Sequence, residues 1–260
     1  MAAPTESDGA PRPAGMQSLD RAFELLELMA ATDGEVALSQ LAVASGLPVP
    51  TIHRIVRTLV TSGYVLQLPS RRYTLGPRLI GLGRSASWTV EAWASPHLLE
   101  LAETSGETAN LAMLDVDMVV YVAQAPSTRH TMRMFTEVGH RVHAHCTGVG
   151  KALLAQLPER DVWRIVQAAG MPARTGRTIT AVGPLLEELA RVRTQGYAVD
   201  DGEQELGVRC LSVAVAGSST SAVSLSGPAS RMTHEAVESL VPLVRAAADG
   251  LAGRAGRPAR

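Results

Sequence analysis

Apolar positions sort the first third of the chain into helices. Leu19, Ala22, Phe23, Leu25, Leu26 and Met29 recur at three- and four-residue spacing, the period of a helix that buries one face. Ser18 precedes them as a suitable N-cap, and Thr32-Asp33-Gly34 is a suitable stop. Ser39 is expected to cap a short second helix, Gln40 to Ser45, which Gly46 ends. Leu47-Pro48 then leads into a third helix from about Val49 to Ser62. A short helix, a turn containing glycine and a second helix make the sequence form of a helix-turn-helix. On the third helix Ile52, Ile55, Val56 and Leu59 share the side expected to pack inward, and Thr51, His53, Arg54, Arg57 and Thr58 share the other. Pro50 falls in the first turn, where its missing N–H has no intrahelical partner. After Gly63 the period drops to two. Tyr64-Val65-Leu66-Gln67 and Arg72-Tyr73-Thr74-Leu75 read as strands joined by Leu68-Pro69-Ser70-Arg71, a hairpin placed as a wing.

Between Pro77 and Val90 a helical apolar stripe of Leu79, Ile80, Leu82 and Gly83 is weakened by Gly76, Gly81 and Gly83, and Glu91 to Thr104 follows. From Thr108 onward short alternations predict strands at Asn110–Leu114, Val119–Ala123, Ser212–Ala216 and Ala222–Leu225. Helical stretches lie at Gly150–Gln156, Glu159–Ala169, Pro184–Gln195 and Thr233–Leu251. Strands grouped with helices, without a strict βαβ rhythm, predict a mixed α+β domain with an antiparallel sheet.

The charge distribution changes this picture more than the total does. The formal net charge is −1. Residues 36–90 nevertheless carry six arginines (Arg54, Arg57, Arg71, Arg72, Arg78, Arg84) and no acid. An acid-free basic segment suits a polyanion, because neutralising phosphates supplies most of the sequence-independent affinity for DNA. Recognition helices place their N-terminal residues against base edges, so Thr51, His53, Arg54 and Arg57 are the expected contacts. Arg71 and Arg72 at the wing tip are placed to reach phosphate or minor groove. An arginine on the helix could read guanine bidentately or bind a phosphate.

Composition removes other classes. No apolar run approaches a bilayer-spanning length, and the Pro/Ala/Gly-rich residues 1–15 lack the apolar core of a secretory signal. Two cysteines make no disulfide framework, so a cytoplasmic setting is expected. Of the 24 basic residues Lys151 is the only lysine, a bias that reads as genomic. Thr147-Gly148-Val149-Gly150-Lys151-Ala152 resembles a P-loop, but His145 and Ala152 stand where a Walker A needs Gly and Ser or Thr. It reads instead as a Gly-rich helix entry, whose free N–H groups favour an anion or whose glycines permit a tight turn. His140, His143, His145 and Cys146 form a local cluster, with His143 and His145 on one side of an expected strand. No second cluster completes a zinc ligand set, and His145 would point away from Cys146. No enzyme activity, metal or cofactor is expected.

Several segments in order then carry a resemblance. MQSLDRAFELLELM, LSQLAVASGLPVPTIHRIVRTLVTSGYV, RRYTLGPRLIGLG, HCTGVGKALLAQLP, RTITAVGPLLEELARVRTQGYAVDDGEQELGVRCLSVAV and SLSGPASRMT are similar to the IclR family of bacterial transcriptional regulators, from about Met16 to Leu251. The resemblance implies a winged helix-turn-helix over 16–76, a linker helix over 77–90 and a GAF-like effector-binding domain over 91–252, with disordered tails at 1–15 and 253–260. It implies homodimers or dimers of dimers on a palindromic double-stranded DNA operator. It also implies a small-molecule pocket lined by Gly148, Val149, Asp200, Cys210, Ser224 and Ser226, with Thr131 and Met134 in a variable apolar lid. Backbone N–H groups and two hydroxyls would donate to a carboxylate, and Asp200 would accept from a ligand hydroxyl. Ser224 and Ser226 differ by two, so a strand puts both on one face. With aromatics only 3% of the chain, a small organic acid is the expected effector, and repression is expected over activation. One departure is visible. The stretch from Cys210 to Ser224 is shorter than usual for the family and lacks its acidic turn, which puts any partner contact by that hairpin in doubt.

Overall fold

The computed structural model describes residues 17–32, 34–130, 136–218 and 220–252. The expected tails and the lid residues Thr131 and Met134 lie outside them. The chain divides into two units, 1–85 and 86–260.

In the first unit, α1 (Gln17–Ala30) starts before Ser18, so Ser18 lies inside the helix and is not its cap. Leu25 and Met29 are buried and Ala22 and Leu26 flank them, but Leu19 and Phe23 stay exposed. The second helix, α2 (Leu38–Ser45), begins two residues earlier than expected. Ser39 does not cap it. The Gln40 side-chain oxygen instead accepts from the Ala37 N–H at 2.9 Å, which satisfies an otherwise orphan donor at the helix entry. After Gly46 comes α3 (Val49–Thr61), whose Ile52, Ile55 and Val56 are buried against Leu25, Met29 and Leu41. The wing is β1 (Val65–Gln67) antiparallel to β2 (Tyr73–Leu75), with Val65 opposite Leu75 and Val36 bridging Tyr73 on the outer edge.

The linker helix expected over 77–90 is the first half of a longer helix, α4, which runs unbroken from Arg78 to Ser105. The division between the two units falls within it, at 85/86. Ile80, Leu82 and Trp88 on it are exposed.

The second unit is built on six strands: β3 (Thr108–Asp115), β4 (Met118–Ala125), β5 (Arg141–His143), β6 (Ala198–Asp201), β7 (Val208–Ala214) and β8 (Ser221–Pro228). Every pairing is antiparallel, in the order β5-β4-β3-β8-β7-β6. Periodicity missed β6, which has four residues at one end of the sheet; at the other end β5, three residues long, stops at His143, short of the strand expected to carry both His143 and His145. Periodicity also started β7 four residues late, because Val208–Leu211 includes the charged Arg209. The helices are α5 (Gly148–Leu154), α6 (Glu159–Ala169), α7 (Val182–Gln195) and α8 (His234–Leu251).

Alternation gives the sheet two different faces. Ala109, Leu111, Leu211, Val213, Val223 and Leu225 point to one side, in a core shared with Leu98 and Leu101 of α4 and Val237, Val241, Val244 and Leu251 of α8. On the other side, Ala112, Val119, Tyr121, Val142 and Ala222 pack with Leu153 of α5, Val162 and Ile165 of α6 and Leu185 and Leu189 of α7. That second core covers only part of its face. The remaining positions, read across the register, are polar.

Candidate functional site

Two surfaces carry the expected chemistry. On α3, His53, Arg54 and Arg57 are exposed and Thr51 is half-buried, all opposite the buried Ile52-Ile55-Val56 stripe. Arg71, at the tip of the wing, is exposed with φ +62°. Arg72 is placed differently. Its guanidinium donates to the Glu35 carbonyl at 2.7 Å and to the Gln40 side-chain oxygen at 3.0 Å, so it holds the wing to the start of α2. Ser70 donates to the Glu35 carboxylate at 2.6 Å, completing that anchor. Arg78 donates to the Ser62 carbonyl at 3.1 Å and lies over the Tyr64 ring. Two of the six arginines in the acid-free segment therefore brace the unit, and among the described residues the side chains of the other four form no hydrogen bond or salt bridge.

In the second unit the register aligns polar residues across five strands. Asp200 lies opposite Cys210, Cys210 opposite Ser226, and Ser226 opposite Thr108. One step along, Ser212, Ser224, Asn110 and Gln124 make a second row. Ser212, Ser224, Ser226, Asn110 and Asp200 are no more than 2% exposed, so their polar atoms must find partners in the protein. Asn110 Nδ2 donates to Ser226 Oγ at 3.2 Å and Ser224 Oγ at 3.4 Å, and its Oδ1 accepts from Gln124 Nε2 at 3.1 Å. Gln124 Nε2 also reaches Thr136 Oγ1 at 2.7 Å. Ser212 Oγ has no partner among the described residues.

A cavity of about 80 Å³ opens on this face. Asp200, Cys210 and Ser226 line it, with Tyr121, Thr136, His140, Thr147 and Gln204. Ser224 lies beside it, held by Asn110. Gly148 and Val149 are not on its lining among the described residues. Their helix is pressed against the sheet: a Cβ on Gly148 would come 2.6 Å from Ser212 Oγ, and one on Gly150 would come 2.2 Å from the Ala144 carbonyl oxygen. The glycines here serve close approach, a role the sequence reading, which weighed an anion site against a tight turn, did not name. A larger hollow of about 510 Å³, beside Gly196, Tyr197 and Ala214–Ser218, contains none of the expected pocket residues.

Burial sets the electrostatics. Asp200 Oδ1 accepts from the Glu203 N–H at 2.7 Å and the Gln204 N–H at 3.4 Å. Desolvation outweighs those donors and pushes its carboxyl up to about 7. Burial likewise raises the Cys146 and Cys210 thiols to about 12 and lifts the Tyr121 phenol well above its usual range. Both thiols are protonated near neutral pH, the wrong state for a nucleophile. Cys146 donates to Gln204 Oε1 at 3.0 Å.

The histidine cluster is corrected in its geometry. The strand ends at His143 and Ala144–Cys146 form a 3₁₀ turn, so His143 and His145 do not share a strand face. Their rings meet edge to face at 5.5 Å, and burial lowers both pKa values. Among the described residues no three metal-ligating side chains converge.

Sequence reasoning missed Asn110, Gln124, Tyr121, Thr136 and Gln204. Asn110 carried a signal, since it is a polar residue at the start of a predicted strand; Gln124 lay one residue past another.

Known proteins give the same division of the chain. The family model for the IclR helix-turn-helix domain matches residues 18–69, and that for the bacterial transcriptional regulator IclR C-terminal domain matches residues 86–252. The chain belongs to the IclR family. The transcriptional repressor IclR of Escherichia coli K12 is 37% identical over 246 residues, spanning 92% of this chain and 90% of that protein. The crystal structure of an IclR transcriptional regulator from Alicyclobacillus acidocaldarius matches with a TM-score of 0.78 at 31% identity, over 92% of this chain and 98% of that one. An IclR homologue from Microbacterium hydrocarbonoxydans, crystallised with 4-hydroxybenzoate, matches with a TM-score of 0.73 over 90% of this chain and 97% of that one; at 23% identity the likeness is one of fold. Membership makes this chain a DNA-binding transcriptional regulator with an effector-binding domain, not an enzyme. Among the described residues no helix is long and apolar enough to cross a membrane.

Proposed function

We propose that this IclR regulator is a repressor that binds a palindromic operator as a homodimer or dimer of dimers and is switched by a small organic acid. The observation that carries the effector reading is the buried polar row of Asp200, Cys210 and Ser226 facing a cavity that Thr136, His140, Thr147 and Gln204 also line with hydrogen-bond donors. Neutral donors there can hold a carboxylate, and the cavity's small volume favours a small one. The Microbacterium homologue's 4-hydroxybenzoate is also a carboxylate. Thr51, His53, Arg54 and Arg57 on α3, with Arg71 on the wing, are the DNA contacts; Arg72 supports the wing that carries Arg71. Gly148, Val149 and Ser224 form the supporting wall behind the cavity. The exposed Ile80, Leu82 and Trp88 on α4 supply apolar surface for a second copy. Two-fold symmetry of the protein would then match that of the operator.

Effector and DNA act through linkage: the effector binds the DNA-competent and DNA-incompetent states with different affinity, and DNA reciprocally changes effector affinity. The test is a mobility shift on the DNA upstream of the chain's own gene, across acetate, lactate, succinate and 4-hydroxybenzoate. Salt-sensitive binding altered by one acid supports the reading, and thermal stabilisation by the same acid locates it on the protein. Binding indifferent to every acid, with no stabilisation, would remove the carboxylate assignment.

A further inference from the structure

In a chain whose other basic residues are all arginine, the one lysine is at a position only 1% exposed. Lys151 lies on α5, and its ammonium pairs with the Glu203 carboxylate and, at 3.4 Å, with Glu188 of α7. A buried ammonium is costly and persists only where partners compensate it. Here the compensation is incomplete, because Glu203 Oε2 is buried and has no hydrogen-bond partner among the described residues. The ammonium suits this place as a compact point charge, which a planar guanidinium is not. Glu203 belongs to the turn after β6, and its N–H is the nearer donor to Asp200. The next residue, Gln204, lines the cavity and accepts from Cys146. Lys151 is thus linked, through Glu203 and two non-covalent contacts, to the one carboxylate among the described residues that combines deep burial with a place on the cavity lining.

We propose that Lys151 is a positioning residue of the effector pocket: through its ion pair with Glu203 it fixes the 202–204 turn whose N–H groups hold Asp200, and so sets how Asp200 meets a ligand. The proposal rests on the reading of this cavity as the effector site. Thr178 and Thr175 also grip the turn, donating to the Glu203 and Gly202 carbonyls at 2.6 and 2.7 Å, so the turn keeps its place in the fold without the ion pair while losing its fine alignment.

The titration of Asp200 reads that alignment directly. Lys151 from α5, Glu203 and Glu205 from the turn, Cys210 from β7, Tyr121 from β4, Cys146 and, across the cavity, His140 are the titratable groups around it among the described residues. Lys151 and Glu203 act on it in opposite senses. In K151M/E203Q both charges go together, no orphan carboxylate is left, and the packed volume is nearly kept. The difference that remains is the quality of the backbone donors. With the full chain ¹³C-labelled at aspartate, and the Asp200 carboxyl signal identified by its loss in D200N, the midpoint is expected to rise by roughly one pH unit in K151M/E203Q. K151M alone should show a larger rise, because it also removes the positive charge that lowers Asp200 and keeps the negative one that raises it, and a lower melting temperature, because it leaves Glu203 buried and uncompensated. An unmoved midpoint in folded K151M/E203Q overturns the assignment and leaves the pair a structural tie. The titration uses no ligand, so failure of the acid panel would count against the effector reading and not against this one.

Discussion

Helix α3 and strand β8 divide their residues by periodicity in the same way, yet their polar halves meet opposite surroundings. On α3, Ile52, Ile55 and Val56 turn inward while His53, Arg54 and Arg57 stand in solvent. On β8, Val223 and Leu225 enter a core, and Ser224 and Ser226 are also buried, at 1% and 0% exposure. An exposed guanidinium is satisfied by water until a partner displaces it. A buried hydroxyl must be satisfied by its neighbours, and here Asn110 supplies both serines from the adjacent strand. Under the proposed assignment, function on α3 resides in single side chains that fold stability does not need, and function around β8 in a network that is also part of the core.

The strongest way to break this comparison is to cut both apolar halves. Leu225→Ala and Ile52→Ala each remove a fully buried side chain and should cost about 2–5 kcal/mol in chemical denaturation. If Leu225→Ala cost no more than the adjacent Ser226→Ala, the two faces of β8 would not differ as described.

Asp200→Asn probes the polar half by pH. The native carboxyl titrates near 7, well above its unfolded value of about 3.9, so the native state binds the extra proton between those values. Its contribution is fully present below the unfolded pKa and is lost as pH rises through the folded pKa, at up to about 1.4 kcal/mol per pH unit. Asn keeps an oxygen for the Glu203 N–H and has no charge to bury. The variant should thus gain stability relative to wild type as pH is raised from about 4 to about 7, then level off. Parallel melting curves across that window would contradict the burial of an ionising Asp200.

Ser226→Ala is milder and more telling. Asn110 keeps Ser224 as an acceptor, so the stability loss should be about 1 kcal/mol. Loss of stabilisation by the acid that shifts the wild-type protein is the expected functional effect, with DNA binding retained. Unchanged acid affinity would remove Ser226 from the pocket.

How much of this was legible follows the same divide. Local periodicity sufficed for α3, for the wing and for the odd-numbered core residues of β8. It could not show that Ser18 and Ser39 are not caps, because helix starts depend on the residues upstream and on Gln40 reaching back to Ala37. The pocket's second polar row was hidden because Asn110 and Ser224 are 114 residues apart and meet only through the register of β3 with β8. Arg72 looked free for DNA because its anchor, Glu35, lies 37 positions earlier and one residue outside the acid-free segment. Lys151 looked like the end of a false phosphate loop, and its partners lie 37 and 52 positions away. Long-range pairing, not local pattern, decides these residues.

The smallest expected change in stability comes from Arg54→Ala, and it completes the comparison. Arg54 is exposed, no described residue forms a salt bridge with it, and its neighbours Ile52 and Ile55 remain buried without it. Denaturation should therefore stay within about 0.5 kcal/mol of wild type. Operator binding should weaken instead. If Arg54 meets a phosphate, affinity falls by a similar factor on all sequences and the salt slope of log affinity decreases by about 1. If it reads guanine, the loss is about 1–3 kcal/mol and is confined to operators carrying that base. Stabilisation by the effector acid should persist in either case, since the substitution lies in the other unit. A variant that lost acid stabilisation as well would show that the exposed half of α3 and the buried half of β8 are not separable.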